Sequence, residues 1–291
     1  MKKVISLILA LVLCFAFSAP AFATYDDVAP GAWYAEEVNF CLDKGILTAA
    51  FGTTGSLNPN QNITRAEFVS MLFSMDTVAK YDGIRNVANA TGYAGEKPES
   101  AQHHLSLISA EMIKKVADSK FTDVDFNAYY GPAVIWAAEN GYVNSTSETT
   151  FSPDDTITRE QMMTMLYRYQ YTEGLDFMYR TEGADGVDNF AFGFYFDTYG
   201  EEVVVDTGVL NNYIDGSTVS AFAKDGISWG IQSGYITGVS ATEVAPAGTA
   251  SRAQVATIFA RMYDNVVFAA TRTMYLHHLE LRGPFLGITG K

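Results

Sequence analysis

The chain has 291 residues, with 19 basic against 33 acidic side chains, a formal net charge of −14 and two cysteines. Such an acidic polypeptide argues against nucleic acid or an anionic membrane surface as partner, because the counterion release that drives such binding would oppose it. The length allows one large domain or two ordinary ones.

The first 23 residues, MKKVISLILALVLCFAFSAPAFA, place Lys2 and Lys3 before an apolar run and end on Ala21-Phe22-Ala23. This is the pattern of a secretory signal peptide cut after Ala23. Cys14 follows Leu11-Val12-Leu13, not the small residues that a lipoprotein signal wants. Loss of the leader removes two lysines and no acid, leaving 17 basic against 33 acidic residues and Cys41 as the remaining cysteine. No internal disulfide is then expected. Cys41 lies beside Val38 and Leu42 on the apolar face of a predicted helix and reads as a buried, inert thiol. No later apolar run is long enough to span a bilayer, and the C-terminal GPFLGITGK lacks a sortase signal.

Residues 25–73 form a first unit. A helix carrying Val38, Phe40, Cys41 and Leu42 is expected to stop at Gly45, which suits a left-handed helix end. A loop with Leu57-Asn58-Pro59 follows, and its proline keeps the stretch out of helix. In NITRAEF, Thr64 lies three residues before Glu67, the spacing of a capping box. Phe68, Met71, Leu72 and Met75 then mark the buried face of a second helix.

The insert 76–120 contains TGYAGEKPES, read as a surface loop, and AQHHLSLISAEMIKKVA, read as a helix. A second unit at 121–168 repeats the first: Val134, Trp136, Ala137 and Ala138, then Gly141, Pro153, and Thr158 with Gln161 ahead of Met162, Met165, Leu166 and Tyr169. The insert 170–212 contains NFAFGFYFDTYGEEVVVD, whose aromatic and β-branched residues suggest a small β-hairpin. Neither insert is large enough for an independent catalytic domain. The third unit, 213–261, is divergent. It carries Ile227, Trp229, Gly230 and Ile231, then Gly234, Pro246, and Ser251 with Gln254 ahead of Val255, Ile258, Phe259 and Met262. The tail 265–291 matches no repeat and has no assigned role.

The fold class expected is therefore mainly α, three helix-loop-helix units of about fifty residues that must pack on one another to bury their faces. Arg65, Arg159 and Arg252 follow the cap residue in each unit, at intervals of 94 and 93 residues. A cation in the first helical turn opposes the helix dipole by roughly 0.3–1 kcal/mol. Two explanations stand: each arginine is simply solvated, or each guanidinium faces a groove and binds an anion there, helped by the free N–H groups of the helix start. Trp33-Tyr34 and Tyr129-Tyr130, just before the first helices, could stack on sugars or pin the core; Phe222-Ala223 takes their place in the third unit. Asp27 and Asp123 are expected to order the repeat starts.

The histidines occur as His103-His104 and His277-His278. Helical neighbours point about 100° apart, so no metal site is expected. No GxSxG, HExxH or phosphate-loop pattern occurs, and neither an enzyme nor a cofactor is expected.

YDDVAPGAWYAEEVNFCLDKGIL with LNPNQNITRAEF, and FTDVDFNAYYGPAVIWAAENGYV with FSPDDTITREQ, closely resemble S-layer homology repeats; the third copy resembles them more weakly. The resemblance implies a pseudo-threefold helical domain that binds a cell-wall polymer noncovalently from grooves between repeats. Its ligand would be an acidic, pyruvylated secondary wall polysaccharide or another peptidoglycan-linked polymer. The family's Thr-Arg-Ala-Glu motif is intact at Thr64, Arg65, Ala66 and Glu67, and is altered at Glu160-Gln161 and at Ser251 and Gln254. The resemblance thus implies a secreted, wall-attached protein. Alternatives are a surface-layer component whose repeats assemble with other surface-layer proteins without binding polymer, and a wall-active enzyme with its site in the inserts.

Overall fold

Seven α-helices run through the residues that the computed structural model describes, which are 25–47, 56–91, 100–172 and 205–282. They are α1 Ala35–Lys44, α2 Arg65–Thr91, α3 Ala101–Ile113, α4 Gly131–Glu139, α5 Arg159–Thr172, α6 Lys224–Gln232 and α7 Arg252–Arg282. The protein is mainly α, and the strand pairing among the described residues consists of isolated bridges. The leader, nearly all of the stretch read as a hairpin and most of the TGYAGEKPES loop lie outside the described residues.

Each unit is a short helix, a proline loop and a longer helix. Gly45, Gly141 and Gly234 end α1, α4 and α6 at φ 76°, 74° and 71°, a region that glycine enters without steric cost. The apolar stripes of α2, α5 and α7 are buried at every position expected, from Phe68 to Met75, Met162 to Tyr169 and Val255 to Met262. Burying one such side chain is worth about 1.5–3 kcal/mol, so the stripes supply the main drive for assembly.

The assembly is cyclic. The long helix of each unit packs on the short helix of the next: α2 on α4, α5 on α6, and α7 back on α1. At the centre, the Ile63 N–H donates to the Ala250 carbonyl (3.0 Å), Ala250 to Ile157 (3.3 Å), and Ile157 to Ile63 (3.0 Å). Bridges Asn62↔Ser251, Thr64↔Thr156 and Thr158↔Thr249 flank this ring. All three central residues are fully buried, so each bond satisfies a backbone group that water cannot reach.

Two helices outrun the units that begin them. α2 continues past 73 into the first insert, and α7 continues through 265–282, for which the repeat pattern offered no account. They pack along each other, and Gly83 permits the approach: a Cβ there would stand 2.8 Å from the Ala270 Cβ and 2.9 Å from the Thr271 nitrogen. α3 from the same insert packs on α2 and α4. The insert is part of the body of the fold.

The proline loops hold a feature that the sequence did not announce. Asn58, Ser152 and Ala245, each directly before the loop proline, sit at φ 53°, 58° and 50°. Residues before proline ordinarily stay extended, and an L residue in this left-handed region is strained. The Asp27 carboxylate accepts from the Leu57 and Asn58 N–H groups at 3.0 and 2.6 Å and from the Ser56 hydroxyl at 2.6 Å. Asp123 accepts from Phe151 and Ser152 at 2.8 and 2.7 Å, and Asp215 from Val244 and Ala245 at 2.9 and 2.7 Å. These aspartates tie each repeat start to its loop. Alanine has no polar side chain to ease the conformation, so Ala245→Gly is expected to stabilise the protein by about 0.5–1 kcal/mol. A thermal melt should register this as a rise of roughly 1–4 °C.

Candidate binding seams between the repeats

The three long helices begin alike. The Thr64 N–H donates to Glu67 Oε2 (2.9 Å) while the Glu67 N–H donates to the Thr64 hydroxyl (3.1 Å). Thr158 and Gln161 exchange bonds of 3.2 Å each way, and Ser251 with Gln254 bonds of 3.0 and 3.3 Å. All three capping boxes are formed.

The next N–H groups cross to the neighbouring repeat. Arg65 and Ala66 donate to the carbonyls of Asp155 and Pro153, Arg159 and Glu160 to those of Gly248 and Pro246, and Arg252 and Ala253 to those of Gln61 and Pro59. The free helix-start amides that an anion site would use are therefore spent. The cause is geometric: each helix start abuts the next repeat's proline loop and does not face an open groove.

The guanidinium groups take the same direction. Arg65 Nε donates to the Phe151 carbonyl (2.8 Å) and Nη2 to Asn144 (3.3 Å), with its Cζ 4.8 Å from the Phe151 ring centre. Arg159 Nε donates to Val244 and Nη2 to Thr237, both at 3.0 Å. Arg252 donates through Nη1 to Leu57 and through Nη2 to Glu67 Oε1 (3.0 Å). The three residues are 3%, 6% and 0% exposed, so none is a solvated surface arginine.

Each arginine bonds the loop that the neighbouring repeat's aspartate also holds. Burial pulls the Arg65 and Arg159 guanidiniums down from their ordinary value, while Asp155 and Asp123 beside Arg65, and Asp215 beside Arg159, act against the shift. Burial also pushes the Asp27 carboxyl up, but the bonds from Ser56, Leu57 and Asn58 more than offset it and leave it below its ordinary value. The Asp215 carboxyl is lowered in the same way, against burial, by the Val244 and Ala245 N–H groups.

The aromatic pairs divide by position. Tyr34 and Tyr130 stand at the N-caps of α1 and α4; Tyr34 is buried and Tyr130 half-buried in contact with the core. The residue before each faces outward: Trp33 is 63% exposed, Tyr129 40%, and Phe222, at the same register of the third repeat, 57%. Trp33 meets Tyr34 edge to face at 5.3 Å, and Tyr129 meets Tyr130 at 5.2 Å. Burial and the nearby Glu67 carboxylate push the Tyr129 hydroxyl up, and Arg252 acts in the other direction. Tyr129 of the second repeat thus sits in the field of residues from the first and third.

Each seam therefore has a long-helix start on one side and an outward aromatic on the other. By register, Ala66 and Tyr129 belong to the α2/α4 seam, and Ala253 and Trp33 to the α7/α1 seam. The α5/α6 seam differs. Glu160 stands where the others have alanine, and its carboxylate accepts from the Ser220 N–H and hydroxyl at 3.0 Å each. The departure at Glu160 was visible in the sequence, but its partner was not, because Ser220 is aligned with Gly31 and Asn127 and carries no motif.

Cys41 is buried, its thiol donating to the Ala256 carbonyl at 3.3 Å, and burial pushes its pKa up. It is a core residue under α7. Among the described residues, no group of three metal-ligating side chains comes together and no helix is long and apolar enough to cross a membrane.

Residues 24–69, 120–163 and 212–256 match the family model of the S-layer homology domain. The chain is also similar to a surface-layer 125 kDa protein of Lysinibacillus sphaericus, with 24% identity over 261 residues. That match covers 88% of this chain and 16% of the relative's length.

Proposed function

We infer that this chain, which carries three S-layer homology domains, is exported and works at a bacterial cell surface as a noncovalent anchor to the cell wall. The ligand is an acidic wall polysaccharide, pyruvylated or otherwise carboxylate-bearing, taken up at the seams between repeats. The observation that carries this reading is the recurrence of an outward aromatic, Trp33 and Tyr129, at the α7/α1 and α2/α4 seams. A ring held at the surface at one register, touching its inward neighbour edge to face, presents a flat apolar face that suits the face of a sugar ring.

The arginines keep a place in this proposal beneath the seams. Arg65 and Arg159 donate to neutral carbonyls, so the protein stations cations close to the surface in a chain of net charge −14. A carboxylate-bearing sugar at the seam would gain from that charge. Arg252 is fully enclosed and its charge is paired with Glu67, so it contributes least to that field.

Co-sedimentation of the protein with purified bacterial sacculi tests the proposal. Binding is expected to intact sacculi and to be lost after chemical stripping of the secondary polymer. Equal binding to stripped walls would contradict it.

A second reading has its own support, because the helix-start amides and guanidinium groups are used within the ring. Repeats of this kind could serve purely as packing or assembly units for a surface layer. Absence of wall binding together with concentration-dependent self-association would favour it.

A further inference from the structure

We propose that Glu160 closes one of the three seams to an acidic ligand, so that the protein engages its polymer at the α2/α4 and α7/α1 seams and not at α5/α6. This rests on the wall-polymer reading above and assigns the seams different roles within it.

The three seams are built on one plan and differ in what stands at the second helical position. Ala66 and Ala253 project a methyl group, and both are buried. Glu160 projects a carboxylate on a three-bond stem, and that carboxylate is already engaged across the seam. It takes the Ser220 N–H and the Ser220 hydroxyl, two residues before Phe222, at 3.0 Å each. The two donors are those that an incoming carboxylate beside Phe222 would otherwise meet. The protein's own side chain thus plays the part of the ligand's acid group.

Charge works in the same direction. At the α2/α4 seam the Glu67 carboxylate is paired with Arg252 at 3.0 Å, so its charge is compensated within the protein. At the α7/α1 seam the matching residue is the neutral Gln254, and at α5/α6 it is the neutral Gln161. Glu160 is an added acid at the third seam, and its hydrogen-bond partners there are uncharged. An acidic sugar placed beside Phe222 would have to displace the Glu160 carboxylate from two hydrogen bonds and then sit next to it. At the α2/α4 seam the Asn127 N–H, at the register of Ser220, is held by Asp125 of the same turn and not by a side chain reaching across the seam, and neither Ala66 nor Ala253 brings an acid to its seam.

The test is a saturation measurement with the soluble polysaccharide released from purified sacculi, comparing wild type, Glu160→Ala and Glu160→Gln by titration calorimetry. Thermal melts confirm that each variant is folded; alanine is already the residue at both other repeats. Wild type is expected to bind at two seams and Glu160→Ala at three, a gain of half in ligand bound per chain at saturation. That gain should be removed again by Phe222→Ala on the Glu160→Ala background. Glu160→Gln, which keeps the size and loses the charge, should bind the third site more weakly than Glu160→Ala.

If wild type binds and Glu160→Ala takes up no more ligand, the inference is overturned while the wall-polymer reading stands. If wild type already fills three sites, the inference is overturned as well. If neither protein binds the released polysaccharide and wild type also ignores intact sacculi, both fall together.

Discussion

Arg252→Ala is expected to cost about 3–5 kcal/mol of unfolding free energy, the usual penalty for removing one partner of a buried charge pair. The side chain is fully enclosed, and it joins the third repeat to the first through the Leu57 carbonyl and the Glu67 carboxylate. Its removal would leave Glu67, whose own place in a capping box depends on orientation, without its cation. The change falls on the closing contact of the ring, where α7 meets the first repeat. In a urea titration the midpoint should move far more than for the matching changes at Arg65 and Arg159, whose acceptors are neutral carbonyls. Those two should cost about 1.5–3 kcal/mol each, the range for hydrogen bonds that involve a charged group. Arginines that were merely solvated would give changes within about 0.5 kcal/mol.

The local grammar of the repeats was legible in the sequence. Threonine or serine three residues ahead of glutamate or glutamine is a local signal, and all three boxes form as reciprocal hydrogen bonds. Gly45, Gly141 and Gly234 end their helices in the left-handed region for the same reason. The buried stripes also followed, since a period of 3.6 residues is set by the helix itself.

What the sequence withheld is what depends on the next repeat. The direction of Arg65, Arg159 and Arg252 could not be read, because their acceptors lie 78 to 195 residues away in sequence and, apart from the Glu67 carboxylate, are backbone carbonyls, which carry no residue identity. The full reach of α2 and α7 was hidden because each is held by the other, through small residues such as Gly83 and Ala270, and not by a conspicuous apolar stripe. The pairing of Trp33 with Tyr34, and of Tyr129 with Tyr130, concealed a division of labour that only burial separates, the second of each pair turning inward and the first outward.

The second large effect is expected in binding and not in stability. Trp33→Ala with Tyr129→Ala removes the outward rings from the two seams that lack an internal acid. Aromatic anchors at the centre of a contact commonly cost more than about 1 kcal/mol each when truncated, so the double variant should lose roughly tenfold or more in affinity for wall polymer. Both rings stand at the protein surface, so the stability cost is confined to lost ring contacts, about 0.5–1.5 kcal/mol each. Their edge contacts with Tyr34 and Tyr130 are lost, but the inward tyrosines retain the core.

Stability and binding should therefore separate cleanly, the arginines governing the first and the outward aromatics the second. The most direct test is co-sedimentation of the Trp33→Ala/Tyr129→Ala protein with intact sacculi, beside wild type and with the melting temperature of each measured in the same buffer. Loss of at least tenfold in wall affinity by a double variant that remains folded at the assay temperature is the result expected of seams that bind polymer on their exposed rings. Undiminished binding by a folded double variant would contradict it and remove the seams as the place where the wall is held.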